Sequence, residues 1–327
     1  MSVSLARHPE KTRIRGSRIY GADNVFPMEV VDLGDSGLRV SRVGVGCNNF
    51  GGRIDLDATR AVVDAALDVG ITFFDTAEVY GSGGGSERFL GEILEGRRDQ
   101  VVLATKFGWA QDCGHGDAAS VRSAIDGSLA RLRTDYIDLY YLHKPDPDTP
   151  IAETLGVLDE LVSSGKVRAI GCSNFSAEQL AEADRVAREQ GTTRFTVLQN
   201  HYSLLERGDD EDVLPLCREL GIAYIPYFPL ASGLLTGKYQ RGEPAPEGSR
   251  LHGREIDDAR LTRVEALKRF ADERGHGLLD LAISALVSTP GIGSVIAGAT
   301  KPEQVRANAA AASWQLTADD LELLSTL

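Results

Sequence analysis

The sequence predicts a closed barrel of eight parallel strands alternating with helices: an α/β fold of the (β/α)8 TIM-barrel class, with an N-terminal β-hairpin and an extra C-terminal helix. Three observations lead there. Eight short runs, most of them nearly continuous in apolar residues, recur along the chain, as strands covered on both faces do. Longer stretches with apolar residues at helical spacing separate them. The whole alternation fits within 327 residues, a size at which single barrels are common. An open, doubly wound parallel sheet is the alternative architecture.

Residues 1–26 stand apart. Arg7, Lys11, Arg13, Arg15 and Arg18 crowd a stretch with little apolar content, and no apolar core follows, as a signal peptide would require. A mobile tail is expected, with a small basic docking arm as the other reading. Residues 27–327 form one expected domain. Met28 to Ser41 reads as two short strands joined at Gly34-Asp35-Ser36-Gly37. The eight barrel strands are then expected at Val43–Cys47, Thr72–Thr76, Val101–Lys106, Ile137–His143, Val167–Ser173, Phe195–Asn200, Ile222–Phe228 and Ser294–Ala299. Between them, Ala58–Val69 reads as a helix stopped by Gly70. Ile151, Leu155, Leu158 and Leu161 repeat at helical spacing before Gly165, and Ser176 with Gln179 makes a capping box. Leu230–Asp257 is too long and too rich in glycine and proline for a plain connection, so it is either a functional loop or a disordered insertion. Thr317–Leu327 reads as the extra helix, packed outside the barrel.

The balance of 35 Lys plus Arg against 48 Asp plus Glu, a formal charge of −13, argues against nucleic acid and anionic membranes as partners. No apolar run approaches the length of a membrane-spanning helix. The four cysteines, Cys47, Cys113, Cys172 and Cys217, form neither a zinc pattern nor a disulfide framework. A cytoplasmic protein is expected, with no metal.

In a barrel of this class the C-terminal strand ends face the active site. Here the second strand ends at Asp75-Thr76, the third at Lys106, the fourth at His143, the fifth at Ser173-Asn174, the sixth at Gln199-Asn200 and the seventh at Tyr227. Six polar endings in succession favour a polar pocket at one mouth. Tyr80 follows the second strand. An ammonium such as Lys106 beside it would favour phenolate and lower its pKa, Asp75 would hold that ammonium, and His143 would orient a substrate oxygen. Such a set suits proton donation to a carbonyl under reduction. Taken singly, each residue has an ordinary reading: Tyr80 packing, Lys106 and Asp75 a structural ion pair, His143 a satisfied core histidine.

The surrounding motifs change that balance. Phe74-Asp75-Thr76-Ala77-Glu78-Val79-Tyr80-Gly81, Leu142-His143-Lys144-Pro145-Asp146, Gly171-Cys172-Ser173-Asn174-Phe175 and Gly298-Ala299-Thr300-Lys301-Pro302-Glu303-Gln304 together resemble the aldo-keto reductase superfamily, in order and on the expected strands, over Val30 to Ala311. The resemblance implies reduction of aldehydes or ketones with NADPH, Tyr80 as general acid, Lys106 and Asp75 tuning it, and His143 positioning the carbonyl. It also implies where the cofactor lies. Ser173, Asn174 and Gln199 would face the carboxamide, Tyr227 would stack on the ring, and Asp75, Gly46, Cys47 and Asn48 would approach from the first strands. Phe228, Leu230, Ser232, Gly233, Leu235 and Lys238 would meet the pyrophosphate, and Gly298, Thr300, Lys301, Gln304 and Asn308 the adenosine end. Lys301 at a helix start, with Gln304 and Asn308 on one face, suits a 2′-phosphate. Gln304 stands where some relatives carry Arg, Ala307 where many carry Glu, and Phe228 where Ser is common. Gly81-Ser82-Gly83-Gly84-Gly85-Ser86 lacks the last glycine of a dinucleotide fingerprint and reads as a turn. Asn48-Asn49, Trp109 and Tyr202 are candidates for the substrate mouth, the two aromatics equally for packing.

Two other functions stay open on the sequence. Some members of the superfamily act as cofactor-sensing subunits of channels, and a barrel lysine such as Lys106 can serve as a Schiff-base nucleophile. The substrate expected is a small carbonyl compound, and oligomeric state is left open.

Overall fold

The computed structural model describes residues 28–109 and 115–327. The expected N-terminal tail at 1–26 and Cys113 lie outside the described residues.

Val30–Asp32 (β1) and Arg39–Ser41 (β2) pair antiparallel across a single 3-10 turn at Gly34–Ser36. Eight parallel strands follow: β3 (Val43–Gly46), β4 (Phe73–Asp75), β5 (Val102–Phe107), β6 (Ile137–Leu142), β7 (Val167–Ser173), β8 (Val197–His201), β9 (Ala223–Tyr227) and β10 (Val295–Gly298). They pair in chain order from β3 to β9, and β10 returns to β3. At the last seam Tyr224 N–H donates to the Gly291 carbonyl and Gly293 N–H to the Tyr224 carbonyl, just ahead of β10. The result is a nearly closed barrel rather than an open sheet.

Helices α1 (Leu56–Asp68), α2 (Gly85–Ile93), α3 (Ala118–Leu132), α4 (Ile151–Ser163), α5 (Ala177–Gln190) and α6 (Val213–Leu220) connect successive strands from β3 to β9. Their ends follow the local signals: Ser176 and Gln179 form a reciprocal capping box at α5, and Gly70 after α1 takes a φ of +80°. β6 is buried along its whole length, Asp138 included. That carboxylate is paired by Arg98 and Arg168, each at 2.7 Å, and also accepts the Leu103 N–H, as a buried charge requires.

The hairpin closes one end of the barrel. Leu33, Leu38 and Val40 pack on Phe73, Leu139, Tyr141, Val197 and Ile225 inside it. Its turn approaches so closely that a Cβ on Gly34 would lie 2.7 Å from the Ala223 nitrogen, and Gly34 also takes a φ of +53°; only glycine fits. The opposite, C-terminal end is open and carries the site.

After β9 the chain makes a kinked 3-10 segment, Ala231–Thr236, with Ala231, Ser232 and Gly233 all at positive φ. Leu234, Leu235 and Tyr239 anchor it in an apolar cluster with α7 (Asp258–Asp272) and α8 (Leu278–Ser288). The chain then crosses the barrel mouth. Arg250 donates to the Asn48 and Asn49 side-chain oxygens at 3.1 and 2.9 Å, and Arg53 donates to the Gly248 carbonyl at 3.1 Å. The long connection is thus a strap held to the loop after β3, not a detached insertion. α9 (Pro302–Ala310) follows β10, and α10 (Ala318–Ser325) packs outside the barrel through Leu321 and Leu324 on the α7–α8 cluster, as expected.

Candidate active site

Three strand ends deliver one cluster of four residues. Asp75 closes β4, Lys106 is the penultimate residue of β5, His143 follows β6, and Tyr80 stands on the loop after β4. The Lys106 ammonium is wholly buried and ion-paired to Asp75, and it donates to the Thr76 carbonyl at 2.9 Å. Gln199 donates to the other Asp75 oxygen at 2.8 Å. The Lys106 ammonium lies 5.2 Å from the centre of the Tyr80 ring, and that ring meets His143 edge-on at 5.9 Å.

Electrostatics sort the group. Burial works against the Lys106 charge, but Asp75 and Tyr80 outweigh it and hold its pKa above the usual lysine value. At Tyr80 the expected pull of Lys106 is present but is outweighed. Burial raises its pKa, and although Lys106 pulls it down, burial wins and the net shift is upward. The phenol therefore keeps its proton at neutral pH. His143 is lowered to about 2 by burial and by the Lys106 and Lys144 charges, so its ring is neutral. Its Nδ1 is buried with no hydrogen-bond partner.

These groups floor a cavity of about 580 Å³ that runs from Tyr80, Trp109 and His143 to Thr300, Gln304 and Asn308. Most residues expected at a cofactor line it: Gly46, Cys47, Asn48, Asp75, Asn174, Gln199, Tyr227, Phe228, Leu230, Ser232, Gly233, Lys238 and Gly298. Four expected residues do not. Lys106 lies beneath the floor under Tyr80, and Ser173 donates to the Gln199 carbonyl from below Asn174. Leu235 points into the apolar cluster that anchors the strap. Lys301 is exposed as the residue preceding α9. Asn174, at a φ of +62°, donates to the His143 carbonyl at 2.9 Å and accepts from the Tyr227 hydroxyl at 2.7 Å. It therefore fixes the Tyr227 ring between three strand ends. Gln304 turns back to accept the Thr300 N–H at 2.8 Å, tying α9 to the segment that precedes it. Tyr202 does not line the cavity; it is buried against Tyr224 and bonded to Asp210.

Sequence reading missed Arg53 and Arg250, which line the mouth. Burial and the neighbouring Arg53 lower the Arg250 pKa. Neither arginine forms an ion pair among the described residues. A basic residue inside a glycine-rich loop was the available signal, but only the folded strap shows that it returns to the mouth. Asn49 was expected at the mouth and is there, donating to the Ala299 carbonyl at 3.2 Å.

Among the described residues no cluster of side chains fits a metal ion, and no helix is long and apolar enough to cross a membrane. The Aldo/keto reductase family model matches residues 42–327. The chain is 38% identical over 317 residues to the aldo-keto reductase YhdN of Bacillus subtilis (strain 168), spanning 92% of this chain and 93% of that one. It is 37% identical over 297 residues to a probable voltage-gated potassium channel subunit beta of Oryza sativa subsp. japonica, spanning 86% and 90%. To the L-glyceraldehyde 3-phosphate reductase of Escherichia coli (strain K12) it is 34% identical over 294 residues, spanning 84% and 85%. With matches of this extent over a barrel whose open end gathers these groups, the chain belongs to the Aldo/keto reductase family, oxidoreductases that act on carbonyl compounds with a nicotinamide cofactor.

Proposed function

We propose that the protein reduces aldehydes or ketones to alcohols with NADPH, and that Tyr80 supplies the proton. The observation that carries this reading is the pairing of a protonated Tyr80 phenol with the buried Lys106 ammonium, beside a neutral His143 whose Nδ1 lacks a partner. All of them stand at one end of a cavity long enough to reach α9.

The residues present fit a dinucleotide. Asn174 and Gln199 offer amides beside the flat, tethered face of Tyr227, which suits stacking. Ser173 holds that corner from below. Gly46, Cys47 and Asn48 offer backbone from the end of β3. Phe228, Leu230, Ser232, Gly233 and Lys238, with Arg53 and Arg250 above them, would hold the pyrophosphate. Gly298, Thr300, Lys301, Gln304 and Asn308 surround the N-terminus of α9, where free N–H groups favour a phosphate. When bound, the cofactor supplies a hydride to the carbonyl carbon.

The rest is done by this chain. His143, neutral and rigidly packed, orients the carbonyl oxygen toward Tyr80. As negative charge grows on that oxygen, the Tyr80 phenol gives up its proton to it, and the Lys106 ammonium stabilises the phenolate that remains. Asp75, locked by Gln199, keeps Lys106 charged and aimed. A Schiff-base role for Lys106 gains no support, since its nitrogen is protonated, paired and beneath the cavity floor. A cytoplasmic setting fits Cys47, Cys172 and Cys217, all buried free thiols.

The test is NADPH absorbance with purified protein and a panel of aromatic aldehydes, 2-oxoaldehydes and ketones, with NADH in parallel. Consumption that depends on both carbonyl and Tyr80 supports the reading. Cofactor binding with no turnover of any carbonyl would favour a sensing role.

A further inference from the structure

We propose that Lys144, seated on Trp109 beside His143, recognises a negatively charged group on the carbonyl substrate, so that the site selects aldehydes or ketones bearing a carboxylate or a phosphate. The inference rests on the carbonyl-reductase reading of the same site and names its substrate class.

Lys144 is the first residue after His143, and its side chain is exposed behind the cavity-lining Trp109. Its ammonium is not paired with a carboxylate among the described residues. It lies instead 3.9 Å from the centre of the Trp109 ring. That contact holds a cation in place against an apolar wall without neutralising it. Trp109 in turn lies 4.4 Å from the His143 ring, centre to centre, and lines the cavity. The ammonium is therefore no farther from the His143 ring than those two distances together, about the length of a small aromatic aldehyde. Its field reaches that ring, since it is one of the charges that lower the His143 pKa.

The cations that line the cavity stand elsewhere. Arg53, Lys238 and Arg250 belong to the strap and the loop after β3. Asp75, the one carboxylate lining the cavity among the described residues, is already held by Lys106. Beside the end where the carbonyl is reduced, Lys144 is thus a positive charge with no carboxylate partner among the described residues. A substrate with its carbonyl on Tyr80 and His143 would extend along Trp109 and bring a distal anion to Lys144. Trp109 adds a flat face for an aromatic or planar substituent.

The experiment compares kcat/KM for 4-carboxybenzaldehyde and 4-methylbenzaldehyde, and for 4-formylphenyl phosphate, with NADPH at low and high salt. We expect the wild-type protein to prefer the anionic members. Lys144→Met should reduce that preference about five- to tenfold, as expected for a partly screened charge pair. Lys144→Arg should retain it, and added salt should weaken it in the wild type and in Lys144→Arg but not in Lys144→Met. The carboxylate and phosphate arms show which anion is preferred. Turnover of all three aldehydes with a preference that Lys144→Met does not alter would overturn the inference and leave the reductase reading standing. No turnover of any carbonyl by the wild type would overturn both.

Discussion

The Glu78 carboxylate accepts the Gly108 N–H at 3.0 Å, and the Glu78 N–H donates to the Lys106 carbonyl at 3.1 Å. One residue thereby joins the loop that carries Tyr80 to the strand end that carries Lys106 and to the loop that carries Trp109. Burial raises the Glu78 pKa, aided by Glu87, against the Gly108 hydrogen bond and the Arg131 and His115 charges. It should therefore take up a proton at a higher pH than an ordinary glutamate. A protonated acid is a weaker acceptor for Gly108, so acidification should loosen Trp109. We expect its fluorescence to shift with a midpoint above the usual glutamate value of about 4.3, and Glu78→Gln to abolish that transition. The titration belongs in a Trp314→Phe background, because Trp314, the chain's other tryptophan, would add its own emission. The same transition in both proteins would assign it to another group.

Chemistry and stability separate at Tyr80 and Lys106. Tyr80→Phe removes the proton donor and keeps the ring, so kcat should fall about 10²- to 10⁴-fold with little change in melting temperature. Lys106→Met is different. It leaves Asp75 buried without its cation, which costs on the order of 3–5 kcal/mol. Adding Asp75→Asn should restore much of the stability and none of the activity. Urea denaturation alongside steady-state turnover distinguishes these outcomes. A double variant that recovered turnover would show that the ion pair only holds the fold.

Neutral His143 predicts a pH dependence of definite sign. Its pKa falls from the ordinary 6.5 to about 2 in the fold. Protons therefore bind the unfolded chain more readily, and stability declines as pH drops below about 6.5, by at most about 1.4 kcal/mol per pH unit for this one group. His143→Asn cannot titrate. The stability gap between wild type and variant should narrow steadily from pH 7 to pH 4 in urea midpoints. A gap constant over that range would mean that His143 takes up its proton in the fold as readily as in the unfolded chain.

The strand ends were legible because the apolar runs are short and six of the eight end in a polar residue at one mouth. Asp75, Lys106 and His143 could be aligned from order alone. Tyr80 needed the motif around it, since a tyrosine on a loop has no periodicity. The direction of its pKa could not be read at all: it depends on burial and a cation acting in opposition, and burial is a property of the packed site. Leu235 illustrates the opposite failure. It lies between residues that line the cavity, yet the kink at Ser232 and Gly233 turns it into the core. Arg53 and Arg250 are nearly 200 residues apart in sequence, and only the strap brings them to the same mouth.

That strap yields the last expectation. Arg250 donates to Asn48 and Asn49 and lies beside Arg53, with no carboxylate to balance either charge among the described residues. Two guanidiniums so placed repel each other, and an anion between strap and floor would relieve that repulsion while the hydrogen bonds keep the strap closed. Arg250→Ala removes both the tether and one charge. We expect the NADPH dissociation constant to rise about 5- to 30-fold, equivalent to about 1–2 kcal/mol, with faster release. The salt dependence of binding should flatten, since a phosphate partner is lost. NADH should suffer less than NADPH if Arg250 serves the 2′-phosphate, and equally if it serves the pyrophosphate that both carry. Lys301→Ala provides the contrast, because its place at the N-terminus of α9 should weaken NADPH selectively. Fluorescence titration of both cofactors at two ionic strengths reads all of these. An Arg250→Ala protein that bound both cofactors with unaltered affinity and salt dependence would remove the strap from the binding site.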